Sequence, residues 1–274
     1  MLTFPCAKIN IGLNITGKRD DGFHSLETFF YPVGLCDVLE VVPDPDGGNG
    51  RAVMNLTGIE LDGDPASNLV VRAYRLLSAL FDLPSVEIHL HKVIPPGGGL
   101  GGGSSDGASM LLLLNRLFDL DLTRDRLRGL AQELGSDCPF FIDPVPSVAT
   151  GRGEILKPFA LDIRGLYVWL FHPGAGISTT EAYRNIRPAP WPVGLADALL
   201  RPQAEWPGQI RNDFEPFAFS RIPLIREIRE ACYQAGALYS SMTGSGSAVY
   251  ALFTDRRAVP ESILPYLIWE GSLV

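Results

Sequence analysis

Cysteine, histidine, tryptophan and methionine are scarce, with four of each in 274 residues. Cys6, Cys36, Cys138 and Cys232 are widely scattered and form neither a C-x-x-C pair nor a metal-ligand spacing. That excludes a disulfide framework or a zinc ribbon and reads as reduced core thiols of a cytosolic protein. No apolar run reaches bilayer-spanning length, and the N-terminal MLTFPCAKIN has no charged-then-apolar signal pattern. The expectation is a cytoplasmic chain with no membrane partner. Positive charge is also short, 23 basic against 31 acidic residues for a net charge of −8. Such a balance repels nucleic acid and anionic lipid, so any phosphate site must rely on local N–H groups and a few cations.

Glycine and proline, by contrast, are abundant, 29 and 22 residues. Six of the glycines lie between Pro96 and Ser104, in PPGGGLGGGSSDGAS, Pro95–Ser109, which runs directly into the apolar block Met110–Leu114. Glycine suits backbone that takes positive φ or comes close to a ligand, and so many together cost entropy that an ordinary turn would not need. Ser104 or Ser105 is a good N-cap, Asp106 suits the positive helix end, and Ala108–Phe118 reads as a buried helix. A glycine loop feeding a helix N-terminus offers unpaired amides to an anion, most often phosphate. The Walker pattern fails because Gly103 is followed by Ser104 without lysine, and a G-x-G-x-x-G match at Gly97–Gly102 lacks its acidic partner. A flexible linker is the competing reading, and the buried helix that follows counts against it.

In chain order, Ala7, Ile9, Ile11, Leu13 and Ile15 alternate with Lys8, Asn10, Gly12 and Asn14, a half-buried strand over Cys6–Thr16 whose polar face alone would be solvated. Strands follow at Leu26–Val33 and Asp37–Val42, with an exposed connection at Pro43–Gly50 and a further strand at Arg51–Leu56. Asn68 opens a helix carrying Leu69, Ala73, Leu76, Leu77 and Leu80. Val86, Ile88 and Leu90 alternate with Glu87, His89 and His91, so that a strand delivers the chain to the glycine loop. Thr123 caps a helix that stops at Gly135, and Asp137 by itself reads equally as another N-cap or as a functional carboxylate. A composition break at Thr150–Pro158 marks a domain boundary near residue 155. Beyond it lie a strand at Leu166–Phe171, a short helix from Glu181, a helix with core face Leu224, Ile225, Ile228 and Cys232, and strands Leu238–Met242 and Ser247–Thr254. The turn Thr243–Gly246 is either an ordinary hairpin or a second set of amides beside the first loop.

Taken together, Pro5–Asn10, Asp21-Gly22-Phe23-His24, Pro96–Asp106, Gly135–Phe140 and Met242–Gly246 resemble the GHMP kinase superfamily. Asn68–Ala73, His172-Pro173-Gly174 and Asn212-Asp213 fall in the same order, so the resemblance spans nearly the whole chain. Ala7-Lys8-Ile9-Asn10 with the downstream Asp21–His24 is similar to the branch whose acceptor is 4-diphosphocytidyl-2-C-methyl-D-erythritol, in the non-mevalonate isoprenoid pathway.

The resemblance implies an α+β, two-domain GHMP kinase fold. It has an N-terminal part like ribosomal protein S5 domain 2 (residues 1–155), a ferredoxin-like C-terminal part (156–274), and the active site in the cleft between them. It further implies ATP with Mg²⁺, the phosphates lying along Pro96, Gly97, Gly98, Gly99, Leu100, Gly101, Gly102, Gly103, Ser104 and Ser105. Asp106 follows, where asparagine also occurs, and its carboxylate would favour Mg²⁺ or alter a ribose contact. Adenine is expected near Asn68, Leu69 and Lys92. Asp137 is the implied general base and Lys8 its electrostatic partner. His24 would recognise cytosine, with Phe23 and Tyr183 sandwiching the ring, and Asn10, Thr179 and Asp137 would also touch the acceptor. Phe23 stands where tyrosine is frequent, which removes a hydroxyl contact. The implied state is a monomer or weak homodimer acting on small molecules, with metal ligands undefined. Two alternatives stay open at this stage: a GHMP kinase for another alcohol such as homoserine or mevalonate, and a non-catalytic nucleotide- or RNA-binding module. The net charge of −8 opposes RNA.

Overall fold

Period-two hydrophobicity in the strands and 3.6-residue periodicity in the helices resolve into three four-stranded sheets and their covering helices. The computed structural model describes residues 1–273, without the side chains of residues 45, 46, 48 and 49. In chain order the strands and α-helices are β1 (Leu2–Thr3), β2 (Cys6–Lys18), β3 (His24–Cys36), β4 (Val38–Asn49), β5 (Ala52–Gly58), α1 (Leu69–Ser78), β6 (Pro84–Lys92), α2 (Gly102–Leu117), α3 (Arg124–Leu134), α4 (Cys138–Ile142), β7 (Ser147–Thr150) and β8 (Ile155–Pro158). They continue as β9 (Tyr167–Phe171), α5 (Thr179–Arg184), α6 (Leu195–Leu199), α7 (Trp206–Gln209), α8 (Glu215–Arg221), α9 (Pro223–Gln234), β10 (Tyr239–Met242), β11 (Val249–Phe253) and β12 (Leu267–Ser272).

The chain divides into two units that interleave in sequence. The first comprises Met1–Ala7, Leu35–Pro96 and Gly101–Pro144; the second comprises Lys8–Gly34, Gly97–Leu100 and Val145–Val274. A single cut at residue 155 does not reproduce this division. Residue 155 starts β8, which pairs with β7, and β7 pairs with β3. Backbone hydrogen bonding therefore joins the β2–β3 ribbon to later strands, a long-range pairing that composition does not reveal.

In the first unit the sheet order is β1-β4-β6-β5, with β5 parallel to β6 and the other neighbours antiparallel. Val86, Ile88 and Leu90 are buried while Glu87, His89 and His91 are exposed, the signature of a sheet covered on one face. His91 Nδ1 lies 2.9 Å from Thr57 Oγ1 on that open face. Asn68 caps α1 by accepting from the Val70 amide at 2.9 Å, and Thr123 caps α3 through the Arg126 amide at 3.2 Å. Each such cap stabilises its helix by about 1 kcal/mol. Gly107 lets α2 approach α1, since a Cβ there would stand 3.0 Å from Leu69 Cβ. Helix α1 ends at Ser78, so Leu80, expected on its apolar face, is exposed.

The second unit holds the sheets β2-β3-β7-β8 and β10-β11-β9-β12. Trp169, Phe171 and Phe253 from the latter sheet cluster with Phe214 and with Ile225, Ile228 and Cys232 of α9. The expected half-solvated first strand is instead buried on both faces: Lys8, Asn10 and Asn14 are as inaccessible as Ile9 and Ile11. The expected loop at Pro43–Gly50 is largely strand, with β4 continuing to Asn49 through a register shift after Asp44. Among the described residues no helix is long and apolar enough to cross a membrane.

Candidate active site

Helix α2 starts earlier than its serines suggest. Gly101, at φ +73°, is the N-cap in the left-handed region, and Gly102 is already helical. Ser104 and Ser105 therefore lie in the first turn rather than at the cap. The first helical amide with an intrahelical acceptor is that of Ser105, which donates to the Gly101 carbonyl at 2.9 Å. Helix geometry leaves the preceding amides of Gly102, Gly103 and Ser104 as donors for an anion, at the positive end of a sixteen-residue helix. Gly103 is exposed, so that end of the helix is open to solvent.

Asp137 belongs to the same unit. It occupies the N-cap position of α4 but makes no side-chain capping bond, so capping does not account for a carboxylate here. Helix α4 packs against α2, and the buried Cys138 lies close enough to Ser104 for that side chain to act on its thiol. That contact places the start of α4, and half-buried Asp137 with it, beside the first turn of α2. Burial pushes the Cys138 thiol up to about 11, so it stays protonated at neutral pH.

Lys92 and Asp106 are placed differently from the sequence expectation. The Lys92 ammonium is buried and turned inward, ion-paired with Asp37 and with Asp106 Oδ2, the latter at 2.7 Å. It is thus engaged with carboxylates rather than presented to an adenine ring. Asp106 is itself buried, a partner of Lys92 and not an open carboxylate for Mg²⁺ or ribose. Burial raises it to about 7 against the pull of the lysine. Among the described residues no three His, Cys, Asp or Glu side chains converge as a metal site.

In the second unit the other half of the glycine loop is bound to β2. The Lys8 amide donates to the Leu100 carbonyl at 2.9 Å, and Lys8 Nζ donates to Gly99 O at 3.0 Å and to Asn10 Oδ1 at 2.6 Å. The ammonium also stands 4.9 Å from the centre of the Phe30 ring. Asn10 is fixed in turn, its Nδ2 donating to Thr28 Oγ1 at 2.8 Å and its amide to Thr243 Oγ1 at 3.0 Å. Gly99 has φ +77°, and a Cβ on it would collide with the Thr243 carbonyl; one on Gly244 would come within 2.9 Å of Gly99 Cα. The second glycine turn thus packs directly against Gly99. Asn212 holds that turn by donating to the Met242 and Gly244 carbonyls at 2.9 and 2.8 Å.

His24 and Tyr183 form a stacked pair, ring centres 5.2 Å apart at 28°. Burial and nearby Lys18 both lower the His24 pKa, so the imidazole is neutral at pH 7. The observed stack is His24 on Tyr183 rather than a Phe23–Tyr183 sandwich. Phe23 is 54% exposed, with the Arg152 guanidinium 4.7 Å over its ring. Thr179 opens α5 and its hydroxyl lies 3.0 Å from that of Ser245 in the second glycine turn.

Comparison with known proteins shows the family. Residues 68–144 match the GHMP kinases N terminal domain and residues 195–262 the GHMP kinases C terminal region. A protein of Bacteroides thetaiotaomicron named 4-diphosphocytidyl-2-C-methyl-D-erythritol kinase is 47% identical over 96% of this chain and 95% of its own length. One of the same name from Parabacteroides distasonis is 42% identical over the whole of both chains. The chain belongs to the 4-diphosphocytidyl-2-C-methyl-D-erythritol kinase family of the GHMP kinases. A crystal structure of 4-(cytidine 5'-diphospho)-2C-methyl-D-erythritol kinase is similar at a TM-score of 0.80 and 34% identity, covering 99% of this chain and 98% of that one.

Within this member of the 4-diphosphocytidyl-2-C-methyl-D-erythritol kinase family, sequence reasoning missed Asp37, Thr28, Thr243, Asn212 and Arg152. Thr243 and Asn212 lie in segments that follow the family order, where a buried hydroxyl or amide beside glycines is the available signal. Asp37 carries none, because its partners Lys92, Val93 and Ile94 lie more than fifty positions away.

Proposed function

We propose that this protein transfers the γ-phosphoryl group of ATP to the 2-hydroxyl of 4-diphosphocytidyl-2-C-methyl-D-erythritol. The observation that carries the reading is the glycine loop ending on left-handed Gly101, which leaves the first-turn amides of α2 for an anion, with the acidic residue Asp137 next to Cys138, which lies beside Ser104. The acceptor follows from relatives of nearly full length that bear that substrate's name. A small alcohol such as homoserine gives no use to a neutral imidazole stacked on a tyrosine, whereas a cytosine ring does.

The chemistry asks mainly for positioning and charge neutralisation. Amides of the loop from Gly97 to Ser104 hold the β- and γ-phosphates, and Ser105 lies in the same first turn. Asp137 accepts the proton of the acceptor hydroxyl as its oxygen bonds to the γ-phosphorus, and ADP leaves with the electrons of the broken P–O bond. Lys8 is the electrostatic partner of that carboxylate and of the charge on the transferred group. Asn10, Phe23, His24, Thr179 and Tyr183 are the acceptor contacts, and Asn68 and Leu69 the adenine contacts.

Mg²⁺ would neutralise and orient the phosphate oxygens. The absence of a three-ligand cluster among the described residues suits a cation that keeps mostly water and phosphate ligands. Asp137 and the Ser104 hydroxyl are the hard oxygen donors the first unit has to offer it.

The test is ATP-dependent phosphorylation of the named acceptor by the purified protein, with Asp137→Asn and Lys8→Ala in parallel. Product formed by the wild type and lost with Asp137→Asn supports the substrate and the base together. Binding of both substrates without product in the wild type overturns the catalytic reading.

A further inference from the structure

The imidazole of His172 takes no part in the chemistry described above, yet it lies against the Gly97–Leu100 part of the glycine loop, in the same unit. His172 follows β9 directly, its amide donating to the Tyr266 carbonyl at 2.9 Å. A Cβ on Gly98 would stand 3.2 Å from His172 Cδ2, 3.6 Å from its Nε2 and 3.5 Å from Ala248 Cβ. The bare Cα of Gly98 thus faces the ring and the Ala248 methyl, and the Ala248 amide donates to the Gly98 carbonyl at 3.1 Å.

The ring is itself fixed. Nδ1 accepts from the Gly174 amide at 3.2 Å, so in the neutral imidazole the proton is on Nε2. Nε2 faces the hydroxyl of buried Ser247 at 3.5 Å, and that hydroxyl donates its own proton to the Ala175 carbonyl, which leaves its oxygen to accept from the ring. Burial lowers the His172 pKa, which keeps the imidazole neutral at pH 7 and Nδ1 able to accept. The Gly174 bond closes the turn after His172, and two residues on the chain meets the loop again: a Cβ on Gly176 would be 3.6 Å from the Gly97 carbonyl oxygen.

The Gly98 carbonyl and the Gly99 N–H belong to one planar trans peptide unit and point in opposite directions. A Gly98 carbonyl held on Ala248 therefore turns the Gly99 N–H away from Ala248. Glycine supplies no side chain to keep that unit from rotating, so its setting must come from outside the loop. We propose that His172 is a positioning residue for the nucleotide, its ring walling Gly98 and closing the turn against Gly97 so that the Gly97–Gly99 amides are set for the ATP phosphates. This rests on the reading of the loop as the nucleotide phosphate site. His172 acts through the backbone of Gly97 and Gly98 and does not touch the phosphates.

The wall and the hydrogen bond can be removed separately. His172→Phe keeps a ring beside Gly98 and loses the acceptor for Gly174; His172→Asn keeps an acceptor at the Oδ1 position and loses the ring; His172→Ala loses both. Binding of MgATP without acceptor is measured by calorimetry for each protein, and binding of adenosine by its displacement of ATP. In His172→Ala the Kd for MgATP should rise on the order of tenfold or more, the weight of one amide bond to a charged group, while that for adenosine stays within about twofold. His172→Phe and His172→Asn should fall between this variant and the wild type. Unaltered adenosine binding shows that a variant is folded, and should His172→Ala not fold, the other two decide by the same ratio. Equal losses for ATP and adenosine mark a merely structural role and overturn the proposal, as does ATP binding unchanged in every variant; both leave the phosphate-loop reading standing. No ATP binding in the wild type overturns the two together.

Discussion

The glycine loop and the aromatic corner around His24 are built on opposite principles. In the loop, backbone meets backbone: Gly99 against Thr243 and Gly244, Gly98 with its carbonyl accepting from the Ala248 amide at 3.1 Å, Leu100 on the Lys8 amide. Position there is set by the absence of side chains and by buried hydrogen bonds. In the corner, half-buried rings lean on one another, His24 on Tyr183, with Tyr183 edge-on to the buried Phe214 at 4.9 Å and Phe23 more than half exposed. A phosphate site needs donors held within a few tenths of an ångström before the ligand arrives, whereas a planar base is recognised by stacking that tolerates small shifts. Substitutions in the loop should accordingly reach both stability and nucleotide use, and those in the corner the acceptor alone.

The largest effect tests the chemistry to which both regions contribute. Asp137→Asn keeps shape and removes the proposed base, and the turnover number should fall on the order of 10²–10⁴-fold. ATP affinity measured by calorimetry should change little. Next, Gly99→Ala forces a side chain into the Thr243 carbonyl at a positive φ. It should lower the unfolding free energy by about 1–3 kcal/mol or more and raise the KM for ATP, and a variant with unaltered melting would break the contrast. Tyr183→Ala removes the ring under His24. The acceptor KM should rise roughly three- to tenfold, from a stacking contribution of about 0.5–1.5 kcal/mol, with the ATP KM unchanged. The smallest effect is in pH. His24 is held below its ordinary value by burial and by Lys18, so it stays a neutral hydrogen-bond acceptor at pH 7. Acceptor KM should be flat around neutrality and rise only as pH drops below about 6.5, a trend that His24→Gln abolishes.

What the sequence disclosed follows the range of the interactions involved. Asn68, Thr123 and Gly135 act within four residues of themselves, and their caps and stops lie where local chemistry put them. The alternation of Val86, Ile88 and Leu90 likewise predicts its own burial. Lys8 and Asn10 are different. Their partners Gly99 and Thr243 are supplied from about ninety and more than two hundred positions away, so a strand read alone looks half solvated. Helix α2 begins at Gly102 although glycine is a poor helix former, because the left-handed Gly101 and close packing against Ile94 outweigh propensity. Strands β7 and β8 are four residues each and β12 six, and pairing rather than composition defines them: β7 with β3, β8 with β7, and β12 with β9. The family order of motifs carried the site residues; their burial, and the inward turn of Lys92, could come only from the fold.

Gly99 and Gly244 meet where neither has room for a methyl group. Each therefore restricts what can replace the other, across almost one hundred and fifty positions of chain. A drifting sequence cannot relax one of the two and compensate at its partner, since the obstruction is main chain on both sides. Among related chains the two glycines should be kept or lost as a pair. A chain that had lost only one would be expected to have parted these two turns, and with them the seat of Lys8, whatever catalytic residues it still displayed.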